Sequence, residues 1–390
     1  MKIAIISYAE NNSATKSIRN AIENKGHEAI VLNPNDLAML INNRKGYDML
    51  YTKSNKTEIE RIYANDIQAI IPRIGTNILY SSTIIDHLNL NLGIFSTQSG
   101  QGLRIASNKL LTLQMCSRQG IPTPKTIYAN DPSMIDHYID MVGGTPLIVK
   151  GLSGSRGDTV ILLTSYISAK STIQALFKQN SSILIQEFID SKGSDLRGIV
   201  VNEQVVASYK RQAQKGDFRA NINKGASAIS VELTQEEKDY IIKASKVLNL
   251  STSGVDFIRD SEGKFRLIEV NGNYGLHIQQ VTGIDIGELL VDYISCEKIF
   301  QKQKQIDFPS KKDLMLRFQE DELVKMLKEL EAKKKQLDSL IKNPLMKSYF
   351  NDSKGKELEF LDKNNNPQSK LIETPHDLFD VMFQMFKLSN

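Results

Sequence analysis

The first hundred residues alternate short apolar runs with amphipathic stretches, and this alternation limits the fold more than any other feature of the chain. The runs KIAIIS (2–7), EAIVL (28–32) and IQAIIP (67–72) are each long enough for one buried strand, and a helical stretch around residues 15–25 separates the first two. Strand–helix–strand order places successive strands parallel in one sheet. The pattern therefore predicts a parallel α/β domain over residues 1–97.

The next two hundred residues predict helices between hairpins. A Lys-bearing helix over residues 104–120 should end at Gly120, and the prolines of IPTPKT (121–126) make a natural hinge. Residues 234–250 have an N-terminal Thr, early acids and helical apolar spacing, so they predict an amphipathic helix. Residues 143–164 predict a strand, a Gly-rich loop and a second strand, and residues 181–189 predict another strand. Residues 198–211 predict a hairpin that turns at Asn202–Gln204, and residues 252–273 predict a hairpin that turns at DSEG.

After residue 300 the sequence changes character. Residues 321–343 place leucines on one stripe for about three heptads, which predicts a helical arm or short coiled coil. Residues 351–370 are polar and predict a segment rich in loops, and residues 376–388 predict a compact apolar helix. We expect a helical appendix over 301–390 whose stripe pairs with another helix, within the chain or in a homo-oligomer, because such a stripe is too apolar to face water.

Composition excludes several classes of protein. The 390 residues are enough for two or three domains, and a formal net charge of +4 without a basic stripe does not indicate nucleic-acid binding. Cys116 and Cys296 are isolated from other Cys and His residues, which argues against disulfides and zinc sites and fits a reducing cytoplasm. No run approaches the roughly 18 apolar residues of a membrane span. The five His residues form no pattern typical of a catalytic triad.

A predicted hairpin carries oxygen ligands suited to a hard cation. Glu269 and Asn271 are two residues apart, so on a strand they project from the same face. Asp256 lies inside the apolar run GVDFI, where a buried carboxylate is costly unless it is paired or binds a metal. The three side chains could meet across the hairpin as ligands of Mg²⁺, which is usually held by one or two carboxylates together with substrate phosphates.

Three further segments suggest phosphate or nucleotide contacts, each with an ordinary alternative. Lys150 ends a strand and precedes GLSGSRGD (151–158), whose glycines would let backbone N–H groups surround phosphate oxygens, although a solvated Lys and a Gly-rich hairpin tip are equally open. Gln186 and Glu187 end a strand and could face an adenine and a ribose, but an ordinary strand edge explains them as well. The basic segment 209–226 is either a solvated face or a loop that handles anions.

The order of these segments resembles the ATP-grasp fold and, within it, the RimK-type glutamate ligases. The matching segments are PRIG (72–75), KLLTLQMCSRQGIPTP (109–124), MVGGTPLIVK (141–150), RQAQKGDFRANINKGA (211–226), GVDFIR (254–259) and EVN…GL…TGIDI (269–286). The resemblance covers about residues 1–300. It implies a pre-ATP-grasp α/β domain (1–97), a central subdomain with a Gly-rich lid loop (98–180), a C-terminal subdomain with the Mg²⁺ site (181–300) and the appendix (301–390).

The resemblance also implies a role for each candidate residue. The nucleotide would be bound by Lys109 and Lys150 at its phosphates, by Gly154, Ser155 and Gly157 in the lid, by Gln186, Glu187 and Phe188 beside the adenine, and by Asp195 near the ribose. The metal, Mg²⁺ or Mn²⁺ in its place, would be held by Asp256, Glu269 and Asn271. Arg211 would face the transferred phosphoryl group, and Arg219 and Asn221 would lie near the acceptor carboxylate and acyl phosphate.

The activity that the resemblance implies is ATP-dependent joining of a carboxylate to an amine. Such enzymes phosphorylate the carboxylate and then let an amine attack the acyl phosphate, and glutamate with a peptide or protein acceptor would be the substrates. Two alternatives stay open from the sequence. A peptide macrocyclase shares the activation chemistry but uses a side-chain hydroxyl or amine as nucleophile, and an ATP-binding scaffold would bind nucleotide without turnover.

Overall fold

The structure is a computed structural model of the 390-residue chain. It forms two compact units, Met1–Ser295 and Cys296–Asn390. The structure describes residues 1–41, 49–52, 59–62, 66–129, 131–152, 160–179, 181–214, 226–276, 278–304, 357–361 and 367–371.

The N-terminal part of the first unit is a parallel α/β layer, as the sequence predicts. Its strands are β1 (Lys2–Ser7), β2 (Glu28–Leu32), β6 (Ala69–Arg73) and β7 (Phe95–Ser96), all parallel in the order β2-β1-β6-β7. Helix α1 (Ser13–Asn24) connects the first two strands, and the Asn12 side chain caps its first turn. A separate antiparallel sheet of β3 (Leu37–Met39), β4 (Met49–Thr52) and β5 (Ile59–Ile62) interrupts the layer and was not predicted.

The single helix expected over residues 104–120 is wrong, because two helices meet there. After α2 (Ile78–Asp86) the chain forms α3 (Gly100–Ser107) and α4 (Lys109–Arg118). Asn108 separates them with extended backbone, and its side-chain oxygen accepts from the Leu111 N–H. That hydrogen bond starts a new helix instead of continuing the old one. The predicted stop at Gly120 is confirmed by its positive φ of 73°.

A four-stranded antiparallel sheet with two helices follows. Its elements are β8 (Thr126–Tyr128), α5 (Ile135–Met141), β9 (Leu147–Gly151), β10 (Val160–Leu163), α6 (Tyr166–Lys178) and β11 (Ile183–Glu187). The strand order is β10-β9-β11-β8. The strands predicted on both sides of the Gly-rich loop are confirmed as β9 and β10, which pair with Val160 opposite Lys150. This pairing places Lys150 at the end of the sheet where the loop begins.

The last sheet of the first unit has five antiparallel strands. Its elements are β12 (Ser194–Val201), β13 (Gln204–Gln212), β14 (Ser227–Ser230), α7 (Gln235–Val247), β15 (Thr252–Arg259) and β16 (Phe265–Asn271), followed by α8 (Ile278–Thr282) and α9 (Ile286–Lys304). The strand order is β14-β13-β12-β15-β16. Both predicted hairpins and the predicted helix, whose Thr234–Glu237 capping box is present, are confirmed. Asn202 and Glu203 turn the first hairpin with positive φ angles.

The two faces of the five-stranded sheet differ in chemistry. One face carries Val255, Phe257 and Leu267, which pack with Ile241 and Ala244 of α7 in an apolar core. The other face is apolar at one end, where residues such as Ile199 and Tyr209 belong to a second core, and charged at the opposite end. The charged end of this face is where the candidate site lies.

A bulge in β16 sets which face Glu269 occupies. Asp256 pairs with Glu269 and the next residue, Phe257, pairs with Leu267, so Ile268 has no partner in the ladder. Strict alternation from the buried Leu267 would turn Glu269 toward the apolar core. Because the bulge adds one residue, Val270 continues the core instead, and Glu269 and Asn271 face the charged side together.

The second unit contains a hairpin that the sequence analysis missed. Strands β17 (Glu357–Leu361) and β18 (Pro367–Leu371) pair antiparallel, with Glu357 opposite Leu371. The segment 351–370, expected to be rich in loops, therefore contains two paired strands, and the appendix is not purely helical. The predicted helices over 321–343 and 376–388 lie outside the described residues.

Candidate active site

Four adjacent strands contribute charged side chains to one end of the five-stranded sheet. In the ladder, Arg211 of β13 lies opposite Asp195 of β12, and Arg197 lies opposite Asp256 of β15. Asp256 in turn lies opposite Glu269 of β16. Because side chains two residues apart share a face, this register gathers acidic and basic groups on one surface.

Asp256 is held by two guanidinium groups. Its carboxylate accepts two hydrogen bonds from Arg197, one from Nε and one from Nη2. Nη2 of Arg211 also lies 3.2 Å from Asp256 Oδ2. Burial acts to raise the pKa of this carboxyl group, but the charges of Arg197 and Arg211 outweigh it and bring the pKa below its usual value. Asp256 therefore stays ionised in the interior.

Arg211 is positioned by a second carboxylate. Its Nε and Nη2 each donate to Asp195 at 2.6 Å, and its guanidinium lies 5.8 Å from the centre of the Tyr209 ring. Burial raises the pKa of Asp195 to about 6 although Arg211 lowers it. A bidentate pair of this kind fixes the plane of the guanidinium, so Arg211 is oriented before any substrate binds.

Glu269 and Asn271 provide the oxygen ligands that a magnesium ion would need. Asn271 Nδ2 donates to Glu269 Oε1 at 3.0 Å and lies 3.4 Å from Asp256 Oδ2, so the three predicted metal ligands are brought together. Both oxygens of Asp256 accept from Arg197, so the Glu269 carboxylate and the Asn271 amide oxygen are the remaining candidate ligands. In the described residues no group of three or more His, Cys, Asp or Glu could hold a metal. One carboxylate and one amide oxygen fit Mg²⁺, which is usually held by one or two carboxylates together with substrate phosphates.

Lys150 reaches this charged surface from the four-stranded sheet. It is only 8% exposed, and burial lowers the pKa of its ammonium group to about 8, with Glu269 acting to raise it and Lys109 to lower it. Lys109 is the first residue of α4, directly after the Asn108 cap. Lys150, predicted to contact phosphates, is thus close enough to Lys109 and to the predicted metal ligand Glu269 for their charges to act on its ammonium group.

The predicted adenine residues occupy the end of β11. Gln186 is buried and its Nε2 donates to Thr126 Oγ1 at 2.8 Å. The Glu187 carboxylate accepts from the backbone N–H of Lys125 at 3.1 Å, and Phe188 follows directly, partly buried. Both polar side chains are therefore bound to the segment that enters β8. Gly154, Ser155 and Gly157 of the lid, and Arg219 and Asn221, lie outside the described residues.

Arg197 is the principal residue that the sequence analysis missed. It is a single basic residue in the apolar run LRGIVV, whereas the segment 209–226 that follows is dense in Arg and Lys. Its position two residues after Asp195 on a strand was the available signal, because that spacing puts both side chains on the face that carries Asp256.

Comparisons with known proteins identify two domains in the first 294 residues. The RimK pre-ATP-grasp domain matches residues 1–103 and the RimK-like ATP-grasp domain matches residues 106–294. A probable alpha-L-glutamate ligase 2 of Shewanella sp. (strain W3-18-1) is 35% identical over 309 residues, which are 78% of this chain and 98% of the relative.

Solved structures share the fold at lower identity. The ATP-grasp ligase PsnB, complexed with a minimal precursor, has a TM-score of 0.60 and 18% identity, covering 76% of this chain and 98% of PsnB. The macrocyclase MdnC of Microcystis aeruginosa MRC, bound with the precursor peptide MdnA, has a TM-score of 0.57 and 15% identity, covering 76% of this chain and 100% of MdnC.

The fold, the charged sheet face and the matched domains define an ATP-grasp ligase, an ATP-dependent enzyme that forms carbon–nitrogen bonds. Within that class, the chain belongs to the RimK family. No helix in the described part of the chain is long and apolar enough to cross a membrane.

Proposed function

We propose that this enzyme joins the amine of glutamate to a carboxylate of a peptide or protein acceptor in the cytoplasm, with ATP as the activating substrate. The observation that carries the proposal is a single sheet face that gathers charged and amide side chains, with Lys150 beside it. These side chains are Arg197, Arg211, Asp256, Glu269 and Asn271. The 35% identity to a probable alpha-L-glutamate ligase supports glutamate as the amino acid.

The activation step needs cations around the transferred phosphoryl group, because negative charge spreads over its oxygens. Lys109 and Lys150 would bind the phosphates of ATP, and Arg211, fixed by Asp195, would face the group in transfer. Glu269 and Asn271 would hold Mg²⁺, with Asp256 beside them, and the ion would neutralise phosphate charge. An oxygen of the acceptor carboxylate would attack the γ-phosphorus, and ADP would leave.

The second step forms the amide bond. The glutamate amine would attack the carbonyl carbon of the acyl phosphate, and inorganic phosphate would leave as the amine loses a proton. Arg219 and Asn221 would assist near the acceptor carboxylate, and the lid residues Gly154, Ser155 and Gly157 would cover the phosphates. Gln186, Glu187 and Phe188 would border the adenine, where the backbone is the available hydrogen-bonding partner because both polar side chains are already bound.

The test measures ADP release by the full chain with Mg-ATP, each amino acid in turn and a pool of cell peptides, with mass spectrometry of the peptides. ADP release that requires glutamate and peptide, together with added glutamate mass, is the expected result. Release with peptide alone and loss of water would indicate a macrocyclase, and ATP binding without ADP release would indicate a scaffold.

A variant tests the metal assignment separately. Asp256→Asn should lower turnover strongly, because it removes a charge beside Glu269 and Asn271 and frees Arg197. Normal ADP release by this variant would refute the assignment of Asp256. Titration of activity with Mg²⁺ and with Mn²⁺ would show which ion serves.

A further inference from the structure

Arg73 connects the N-terminal layer to the loop that follows the candidate metal ligands. It is the last residue of β6, and its Nη2 donates to the carbonyl oxygen of Tyr274 at 2.6 Å. Its guanidinium also lies 5.5 Å from the centre of the Tyr274 ring. Next to it, a Cβ added at Gly75 would lie 2.9 Å from Nδ2 of Asn273, so the loops after β6 and β16 are in close contact.

The charge of Arg73 has no anionic partner in the described part of the chain. Its contacts there are the carbonyl oxygen and ring of Tyr274, and burial lowers the pKa of the guanidinium. A guanidinium has five N–H donors, and one carbonyl oxygen satisfies few of them. Since a cation removed from water is costly without an anion, the remaining donors suit a ligand that carries negative charge.

The position of Tyr274 places Arg73 beside the reacting groups. A Cβ added at Gly254 of β15 would lie 2.8 Å from Tyr274 Cβ and 3.5 Å from Cδ of Arg197, so Tyr274 covers the face that also carries Asp256. Tyr274 follows Asn271 by three residues, a span of at most about 10 Å along the chain. A small substrate bound to Arg73 would therefore lie next to the proposed site of acyl phosphate formation.

We infer that Arg73 binds a carboxylate of the incoming amino acid, in a subsite between residues 72–75 and 272–276. The inference rests on the proposed function, because it assumes that an amino acid supplies the attacking amine. The phosphates of ATP already have Lys109, Lys150 and Arg211 as candidate cations. The acceptor carboxylate is consumed in the reaction, whereas the carboxylates of glutamate persist and provide a lasting anchor that fits the planar fork of a guanidinium.

The test compares Arg73→Gln and Arg73→Lys with the full-length wild-type enzyme. Arg19→Gln serves as the matched control, because Arg19 of α1 pairs with the exposed Glu10. The KM values for L-glutamate and for ATP are measured by ADP release in the presence of the acceptor peptide pool, with L-glutamine and L-glutamate α-amide as probes that each lack one carboxylate. Thermal unfolding with ATP shows that each variant is folded.

We expect Arg73→Gln to raise the KM for glutamate at least about tenfold and to leave the KM for ATP within about twofold. It should also lose the wild-type preference for glutamate over one of the two amides, and Arg73→Lys should give an intermediate value because it keeps the charge without the fork. Arg19→Gln should match the wild type.

Three outcomes would overturn the inference. If glutamate supports turnover and Arg73→Gln keeps its KM and its discrimination between glutamate and both amides, the subsite is wrong while the proposed function stands. If another amino acid supports turnover in place of glutamate and Arg73→Gln leaves the KM for that amino acid unchanged, both the proposed substrate and the subsite are wrong. Absence of release with every amino acid would refute both proposals.

Discussion

Removing Arg197 should destabilise the protein far more than removing a surface arginine. Its side chain is 12% exposed and that of Asp256 is 5%, so Arg197→Met leaves a buried carboxylate whose remaining contacts are Arg211 at 3.2 Å and Asn271 at 3.4 Å. Breaking a buried pair from one side costs about 3–5 kcal/mol, and we expect about 3 because Arg211 remains. At roughly 2 °C per kcal/mol for a chain of this size, the Tm should fall by about 6 °C.

The pH dependence identifies the cause of that loss. In the wild type the pKa of Asp256 is lowered, so its contribution to stability is present above its unfolded pKa and disappears as pH falls below it. In Arg197→Met the carboxyl group should take up a proton at higher pH, which relieves the unpaired charge. The difference in the free energy of unfolding between wild type and variant should therefore shrink between about pH 7 and pH 4.

The assay is urea unfolding of ligand-free protein at both pH values, with Arg19→Met as control. Arg19 pairs with the exposed Glu10 at 2.8 Å, so its removal should cost less than about 1 kcal/mol. The double variant Arg197→Met, Asp256→Leu should recover most of the loss, since no buried charge remains at that position. A loss below about 1 kcal/mol in Arg197→Met, or a loss that does not change with pH, would refute the argument.

Three further predictions concern other parts of the chain. Binding of ATP at pH 8 should take up about half a proton, because burial lowers the pKa of Lys150 to about 8 and phosphate would restore its charge. Calorimetry in buffers of different ionisation heat measures this uptake, and uptake that persists in Lys150→Met would assign the proton to another group. Gly102→Ala should lower the free energy of unfolding by about 2 kcal/mol, because its Cβ would lie 2.6 Å from the carbonyl oxygen of Leu248. Gly93→Ala should lower it by about 1 kcal/mol, because Gly93 has a φ of 68° but its Cβ would meet open space. Equal Tm values for the two variants would contradict the packing argument. Deleting residues 305–390 should change oligomeric state, stability or peptide turnover, measured by light scattering, unfolding and mass spectrometry, and no change in any of them would refute the predicted helix pairing.

Much of the fold was predictable because its strands and turns are local in sequence. The apolar runs that became β1 and β2, the hairpin turn at Asn202 and the capping box at Thr234 each carry their signal within a few residues. The break at Asn108 was not predicted, because helical apolar spacing continues across it and only the cap hydrogen bond to Leu111 reveals it.

The candidate site was predictable as a set of residue types and less so as a geometry. Spacing alone placed Glu269 and Asn271 together, and the cost of a buried charge singled out Asp256. The partners of Asp256 were not accessible in this way, because Arg197 is 59 residues away along the chain and meets it only through strand pairing. The contact between Arg73 and Tyr274, 201 residues apart, has the same origin.

The unpaired Ile268 determines which insertions and deletions leave the candidate site intact. Deleting Ile268 would leave a regular ladder with Glu269 and Asn271 still on the charged face, whereas deleting Val270 would move Asn271 to the apolar core. An added residue in β12 would likewise exchange the faces of Asp195 and Leu196. A change of one residue in these strands therefore moves the site side chains to the other face of the sheet, whereas a change of two residues does not. Ile268 is one position where the chain can lose a single residue and keep these side chains on the charged face.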